Sequence, residues 1–193
     1  MSTRTDSANR KLKEKILNQR GMVIWFTGLS GAGKTTLAHA LKEELEKKNY
    51  FIQLLDGDDL RKGINSNLGF SEADRFENIR RTAEIAKLFV NSGIVTICSF
   101  ISPTNEIRKS TKEIIGSENY FEIYVNTSLK VCEERDVKGM YKKARAGEIK
   151  NFTGIDSVFE IPADSNMEIN TENLGVSESV DSILKKILPH ISF

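Results

Sequence analysis

Eight residues near the start of the chain, Gly28-Leu29-Ser30-Gly31-Ala32-Gly33-Lys34-Thr35, constrain its fold more than any others. They satisfy G-x-x-x-x-G-K-[ST] in full. An apolar run, Met22–Thr27 (MVIWFT), precedes them, and Leu37, Leu41 and Leu45 recur every four residues after them. The run reads as a buried strand and the leucine spacing as a helix with one apolar face. A glycine-rich loop between such a strand and helix turns tightly and aims its N–H groups at phosphate oxygens, with the positive end of the helix behind them. Lys34 is expected to reach the β- and γ-phosphates of a nucleotide, and the Thr35 hydroxyl to ligate Mg²⁺. The loop alone does not separate kinases from GTPases or motor ATPases. A guanine-reading N-K-x-D string is absent, and 193 residues suggest one domain without a second, regulatory one. Both points favour a small-molecule kinase.

The rest of the chain continues the alternation. Phe51–Leu55 (FIQLL), Ile94–Phe100 (IVTICSF) and Phe121–Val125 (FEIYV) are further strand candidates, and Met167–Ile169 a short fifth. Ile79, Ala83, Ala86 and Val90 place an apolar stripe on a helix from about Glu72 to Asn91. Val180, Ile183, Leu184 and Ile187 mark a closing helix, which Pro189 is expected to stop. Together these predict an α/β P-loop kinase fold: a parallel five-stranded sheet with helices on both faces. In such sheets ligands sit outside the carboxyl ends of the strands. Over residues 136–160 the pattern fails. That stretch is basic, contains glycine and lacks periodicity, and it predicts a lid.

Residues 21–193 are expected to form this domain, and residues 1–20 a basic arm, partly disordered or helical. The arm carries Arg4, Arg10, Lys11, Lys13, Lys15 and Arg20 against Asp6 and Glu14, without the apolar stretch of a secretory signal. A net charge of +1 offers no global field for nucleic acid or a membrane, and no apolar run approaches the ~20 residues of a membrane span. Cys98 and Cys132 have no metal-type spacing. They read as buried free thiols in a reducing compartment, so a cytoplasmic location is expected.

Three strings point to a second substrate. Asp56-Gly57-Asp58-Asp59-Leu60-Arg61 follows the second strand. Carboxylates there can serve Mg²⁺ or accept a hydroxyl proton, and Arg61 can fork onto an anion; a polar turn with solvated charges is the bland alternative. Within residues 68–81 (LGFSEADRFENIRR), Ser71 can cap a helix on which Arg75, Asn78 and Arg81 share a face. That face is either solvated or, with Arg61 and Arg80 added, suited to a strongly anionic substrate. Ser102, in Ser99-Phe100-Ile101-Ser102-Pro103, is placed to contact the acceptor or to act as an ordinary N-cap.

These strings together resemble the adenylylsulfate kinase (APS kinase) family, including the kinase half of the PAPS synthases. The matching segments are IWFTGLSGAGKTT (24–36), DGDDLR (56–61), LGFSEADRFENIRR (68–81), SFISP (99–103) and VCEERDVKGMYKKARAGEIKNFTGIDS (131–157). The family often carries arginine where Asn105 stands here, whereas Arg108 is kept, and the tail after Glu160 follows the family only loosely. The resemblance implies transfer of the ATP γ-phosphoryl group to the ribose 3′-hydroxyl of adenosine 5′-phosphosulfate (APS), with Mg²⁺. It assigns Gly31, Ala32, Gly33, Lys34, Thr35, Thr36 and Arg135 to ATP, and Thr35 and Asp56 to the metal. Asp58, Arg61, Phe70, Arg75, Asn78, Ile101, Ser102, Lys138 and Phe152 go to the acceptor, with Phe70 and Phe152 stacking on its adenine. Lys34, Asp58 and Ser102 would be catalytic, Ser102 matching the serine the family labels a phosphoserine intermediate. A homodimer and an ATP sulfurylase as metabolic neighbour are also implied. The competing expectations are another small-molecule P-loop kinase and a non-catalytic nucleotide-binding partner of a sulfurylase.

Overall fold

The computed structural model describes residues 3–193. Five strands, β1 (Val23–Thr27), β2 (Ile52–Asp56), β3 (Val95–Ser99), β4 (Tyr120–Asn126) and β5 (Met167–Asn170), form one sheet in the order β2-β3-β1-β4-β5. All of its pairings are parallel, as the continuous apolar runs demand. The chain builds one side of β1 first and then crosses to the other. The crevice at the carboxyl end of β1 is therefore the switch point of the sheet.

Every residue of β1 is buried because both faces of the sheet are covered. Ile24 and Phe26 face α2 (Lys34–Lys47) and α8 (Val176–Ile191), packing against Leu37, Leu41, Ile183 and Ile187. Val23 and Trp25 face α4 (Glu72–Val90) and α5 (Asn105–Ile115), packing against Ile79, Ala83, Ala86 and Ile107. Each such apolar side chain contributes about 1.5–3 kcal/mol on burial. The Ser71 hydroxyl caps α4 by accepting the Asp74 N–H at 3.2 Å. The shorter helices are α3 (Gly57–Lys62), α6 (Leu129–Arg135) and α7 (Met140–Arg145).

One expectation is amended. Pro189 does not stop α8, which runs to Ile191: the missing proline N–H falls in the last turns, and fully buried Ile187 and Ile191 hold them down. The basic segment before the domain takes the helical of its two expected forms, as α1 (Thr3–Leu17), while Met1 and Ser2 lie outside the described residues. Polar contacts dock it. The Glu14 carboxylate accepts the Gly21 N–H at 3.0 Å, the Arg10 guanidinium reaches the Gly21 carbonyl at 3.0 Å, and the buried Gln19 amide donates to Phe51 and Gly93 carbonyls at 3.0 and 2.9 Å.

Candidate active site

The phosphate loop leaves β1 at Gly28, whose φ is 149° and where a Cβ would stand 2.6 Å from the Val125 carbonyl oxygen. Gly33, at φ 102°, turns the chain into α2 as its N-cap. No L side chain suits either place without strain. Loop and helix start together present N–H groups to the crevice. Lys34 is buried at the loop's centre, its Nζ donating to the carbonyls of Gly28 and Leu29 at 2.9 and 2.7 Å. Burial lowers its pKa from 10.5 to about 8, with partial restoration from Cys132 and Asp56. The lysine is thus stored inside a loop built for anions and held by carbonyls a phosphate can replace.

The strand ends assemble a hard-oxygen cluster beside it. Thr35 donates through Oγ1 to Asp56 Oδ2 at 3.1 Å and lies 3.3 Å from Ser99 Oγ. The other Asp56 oxygen caps α3 by accepting the Asp58 N–H at 2.9 Å, which fixes the carboxylate's orientation. Two hydroxyls and one oriented carboxylate suit Mg²⁺, which takes one or two carboxylates plus phosphate oxygens and water. A denser acidic cage is not required, and none is found among the described residues.

On the far side of the loop, Arg135 donates to Thr171 Oγ1 and O at 3.0 and 2.9 Å. Thr171 and Thr127 both donate to the Ala32 carbonyl, at 2.9 and 3.1 Å. The ends of β4 and β5 thereby brace the loop. Thr36 sits exposed on the first turn of α2.

The acceptor residues gather at the ends of β2 and β3, with bonding that differs in part from the sequence expectation. Asp58 pairs with Lys138, linking α3 to the start of the lid. Arg61 lies 4.5 Å from the exposed Phe70 ring and donates to the Gly69 carbonyl at 2.9 Å. Arg75 was expected to share a substrate-facing helix face with Asn78 and Arg81. Instead its guanidinium donates to the Phe70 carbonyl at 2.9 Å, to Thr153 Oγ1 at 2.6 Å and to the Asn151 carbonyl. Every nitrogen of Arg75 is engaged by protein, so it staples the Phe70 loop to the lid. Asn78 is buried, and its side-chain oxygen accepts from Asn65 at 2.9 Å. Arg80 and Arg81 both bond Glu77 and hold its carboxyl down at about 2. Both are half-buried, and Arg81 also donates to the Ile64 carbonyl at 3.2 Å and to Asn67 Oδ1 at 2.9 Å, which ties α4 to the turn after α3. Phe70 and Phe152 keep separate partners here: Phe152 is buried, edge-on to Tyr141 with centroids 4.9 Å apart.

Ser102 is neither an open nucleophile nor a cap. It is 1% exposed, its Oγ accepts the Trp25 indole N–H at 2.9 Å, and its φ is +45°. The cap of α5 is Thr104, which accepts the Ile107 N–H at 3.3 Å. Ile101 serves through its carbonyl, which accepts from Thr27 Oγ1 at 2.7 Å and from the Gly28 N–H at 3.4 Å. This bond ties the acceptor turn to the phosphate loop.

The segment expected to form a lid (136–160) is partly ordered structure. It contains α7, whose Tyr141 hydroxyl donates to the Ser30 carbonyl at 2.9 Å, and it buries Tyr141, Phe152 and Thr153. Trp25, Ser99, Thr127, Tyr141 and Thr171 thus serve the site without having been singled out in sequence. Ser99 stands in the SFISP string and Trp25 is the single tryptophan, so both carried a weak signal. Tyr141 likewise stands in the 131–157 string, whereas Thr127 and Thr171 act through the sheet order, which leaves no local mark.

Residues 20–170 match the adenylylsulphate kinase family. The adenylyl-sulfate kinase of Bacteroides fragilis is 55% identical over 183 residues, 95% of this chain and 91% of that protein. Among solved structures, the APS kinase of Mycobacterium tuberculosis in complex with AMPPNP and APS aligns with a TM-score of 0.85 at 39% identity, covering 88% of this chain and 98% of that one. A hexameric APS kinase from Thiobacillus denitrificans aligns with a TM-score of 0.68 at 30% identity, covering 89% of this chain and 29% of that one. With a family match over most of its length and a relative identical at more than half the aligned positions, this chain belongs to the adenylylsulphate kinase family.

Proposed function

We propose that this chain transfers the γ-phosphoryl group of ATP to the ribose 3′-hydroxyl of adenosine 5′-phosphosulfate, giving 3′-phosphoadenosine 5′-phosphosulfate and ADP. One observation carries the mechanism: the phosphate loop, the Asp56–Asp58 turn and the lid converge on one crevice, joined by the Thr35–Asp56 bond and the Asp58–Lys138 pair. The phosphate loop takes the ATP phosphates on its N–H groups, and Lys34 exchanges its two carbonyl partners for phosphate oxygens. Thr35 and Asp56 would hold Mg²⁺, which supplies charge neutralisation to the phosphates when bound. Arg135 and Thr171 border the nucleotide side, and Arg61, Phe70 and the lid's Phe152 border the acceptor.

In an in-line transfer the acceptor oxygen–phosphorus bond forms as the bond from phosphorus to the β,γ-bridging oxygen breaks. Asp58 receives the hydroxyl proton, and Lys138 leaves Asp58 for the transferring phosphate. Such a transfer requires positioning and charge stabilisation, with no covalent enzyme intermediate. Ser102, enclosed under Trp25, therefore serves as a fixed point of the acceptor turn. The APS must come from an adenylyl transfer to sulfate, the reaction of an ATP sulfurylase. A homodimer and a cytoplasmic location complete the proposal. The hexameric relative supports self-association, and two buried free thiols suit a reducing compartment. Among the described residues no helix is long and apolar enough to cross a membrane.

The test is ADP release by the purified protein with ATP and Mg²⁺, with and without APS, beside a panel of adenosine, AMP, gluconate and shikimate. APS-dependent release with phosphate found on the 3′-oxygen is expected. Equal release with any other acceptor would overturn the assignment.

A further inference from the structure

Arg108 lies on α5, away from the crevice, and is buried. A buried guanidinium needs a counter-charge and acceptors for its donors. Glu122 on β4 faces it from 3.6 Å with no hydrogen-bond partner at its own Oε1; burial raises the Glu122 pKa to about 7 against the pull of Arg108, so it supplies the charge in full above neutral pH. It therefore balances Arg108 without saturating it, and leaves the terminal nitrogens free. Nη1 donates to the Ser102 carbonyl at 2.6 Å, while Nη2 donates to Asn105 Oδ1 at 2.6 Å and to the Glu160 carbonyl at 2.7 Å. Glu160 is where the lid rejoins the body. The same junction is closed by the Glu160 N–H on the Pro103 carbonyl at 2.8 Å, and by the Glu160 carboxylate accepting the Asn105 N–H at 2.6 Å. Phe159 lies 5.7 Å from the Arg108 guanidinium and stacks with Tyr124 at 6.0 Å.

We propose that Arg108 is a positioning residue for the phosphoryl transfer: it locks the Ser102 turn and the exit of the lid into one register, with Glu122 as its counter-ion. A purely structural ion pair would spend its donors on its partner carboxylate. Here they go to the two segments that bound the acceptor crevice, one of which contains a non-glycine residue at φ +45°. Such a conformation persists only where its surroundings over-determine it. A lysine would keep the charge opposite Glu122 but could not reach the Ser102 and Glu160 carbonyls at once, since that requires the planar fork.

The role rests on the proposed APS kinase activity, so the experiment has two arms. In steady-state kinetics, Arg108→Lys should lower kcat/KM for APS roughly 10²-fold while the KM for ATP stays within about twofold, since misplacement of about 1 Å costs on that order. In nucleotide-free hydrogen exchange, amides 153–160 should exchange faster in Arg108→Lys and to a lesser extent in Glu160→Ala. The latter leaves the buried charge pair intact and covers the case of a misfolded Arg108 variant. Lys109→Ala, on the exposed face of α5, should match the parent in both arms. Unchanged exchange over 153–160 in both Arg108→Lys and Glu160→Ala, or an equal rise of both KM values, would overturn the role. Absence of APS turnover in the parent would overturn the activity alone, because the exchange arm still decides whether the lock exists.

Discussion

Lys34 is held in a state that makes its chemistry measurable by pH. Its ammonium, buried beneath the loop, has a pKa lowered from 10.5 to about 8. At pH 7 about nine loops in ten carry the charge, and at pH 9 about one in ten. Nucleotide phosphates favour the charged form, so binding at pH 9 must draw in close to one proton, and binding at pH 7 about a tenth of one. Calorimetry of ADP binding in two buffers of different ionisation enthalpy reads that number directly. Affinity should fall up to tenfold per pH unit above 8. In Lys34→Met the extra uptake at pH 9 should vanish, and kcat should fall 10²–10³-fold, the loss expected for one preorganised charge at a phosphoryl centre. Stability carries the opposite sign. A lysine whose folded pKa lies below its unfolded value is a cost that is full below pH 8 and relieved as pH rises toward 10.5. At 1.36 kcal/mol per unit the cost is about 3 kcal/mol. Lys34→Met should thus melt no lower than the parent at pH 7. Proton uptake that survives in Lys34→Met, or near-normal turnover in that variant, would refute the reasoning.

Other expectations follow from the same contacts. Arg75→Ala, which removes the staple between the Phe70 loop and the lid, should raise KM for APS and slow any adenosine side reaction alike, each by about 10–10²-fold; a loss confined to APS in a substrate panel would show that Arg75 contacts the phosphosulfate instead. Trp25→Phe should keep the stacking on Phe100 but orphan the Ser102 hydroxyl, costing about 1–3 kcal/mol and several degrees of Tm by calorimetry, with kcat falling as the turn loosens. Lys138→Ala removes an exposed ion pair with Asp58, so its stability in a urea titration should be unchanged within about 1 kcal/mol while kcat falls at least tenfold in the coupled assay. Phe26→Ala, in the fully buried centre of β1, should lose about 3–5 kcal/mol in a urea titration, and a loss under 1 kcal/mol would place that side chain outside the core.

The fold was legible because parallel strands buried on both faces leave continuous apolar runs, and MVIWFT, IVTICSF and FEIYV could be read as little else. The phosphate loop was legible because its backbone geometry forces glycine at fixed places. Partners were not legible. Arg75, Asn78 and Arg81 share a spacing, yet Arg75 crosses to Thr153, Asn78 turns inward to Asn65 and Arg81 bridges Glu77 to Asn67. Spacing fixes a helical face but not what the tertiary fold lays against it. The docking of α1 was invisible for a different reason. Its anchors are Arg10, Glu14 and Gln19 bonding to backbone groups, which leaves no apolar period to find. Thr127 and Thr171 meet at Ala32 only because β4 and β5 lie side by side, beyond β1.

The lid is tied to the body chiefly at its two ends. At the entry, Lys138 meets Asp58 and the Tyr141 hydroxyl meets the phosphate loop at Ser30. At the exit, Arg75 holds Asn151 and Thr153, and Arg108 holds Glu160. Between them, Lys142, Lys143 and Lys150 are exposed, and Arg145 pairs with Glu133 of α6. The segment's apolar anchors are Tyr141, Ala144 and Phe152, with Met140, Ile149 and Ile155 packed partly buried against the same core. A segment held by several polar bonds and this small apolar set opens at a fraction of the cost of unfolding the sheet. The entry contacts touch groups that the proposed reaction uses, Asp58 and the loop around Lys34, so nucleotide and acceptor compete directly with them. The exit contacts touch Ser102 and the Phe70 loop, which the reaction needs fixed. In the proposed lid motion, arriving substrate would release the entry while the exit stays fastened. The basic middle would then swing over the phosphates about the Arg75 and Arg108 anchors, and hydrogen exchange with and without ADP and APS should show protection changing over 138–150 while 153–160 keeps its own.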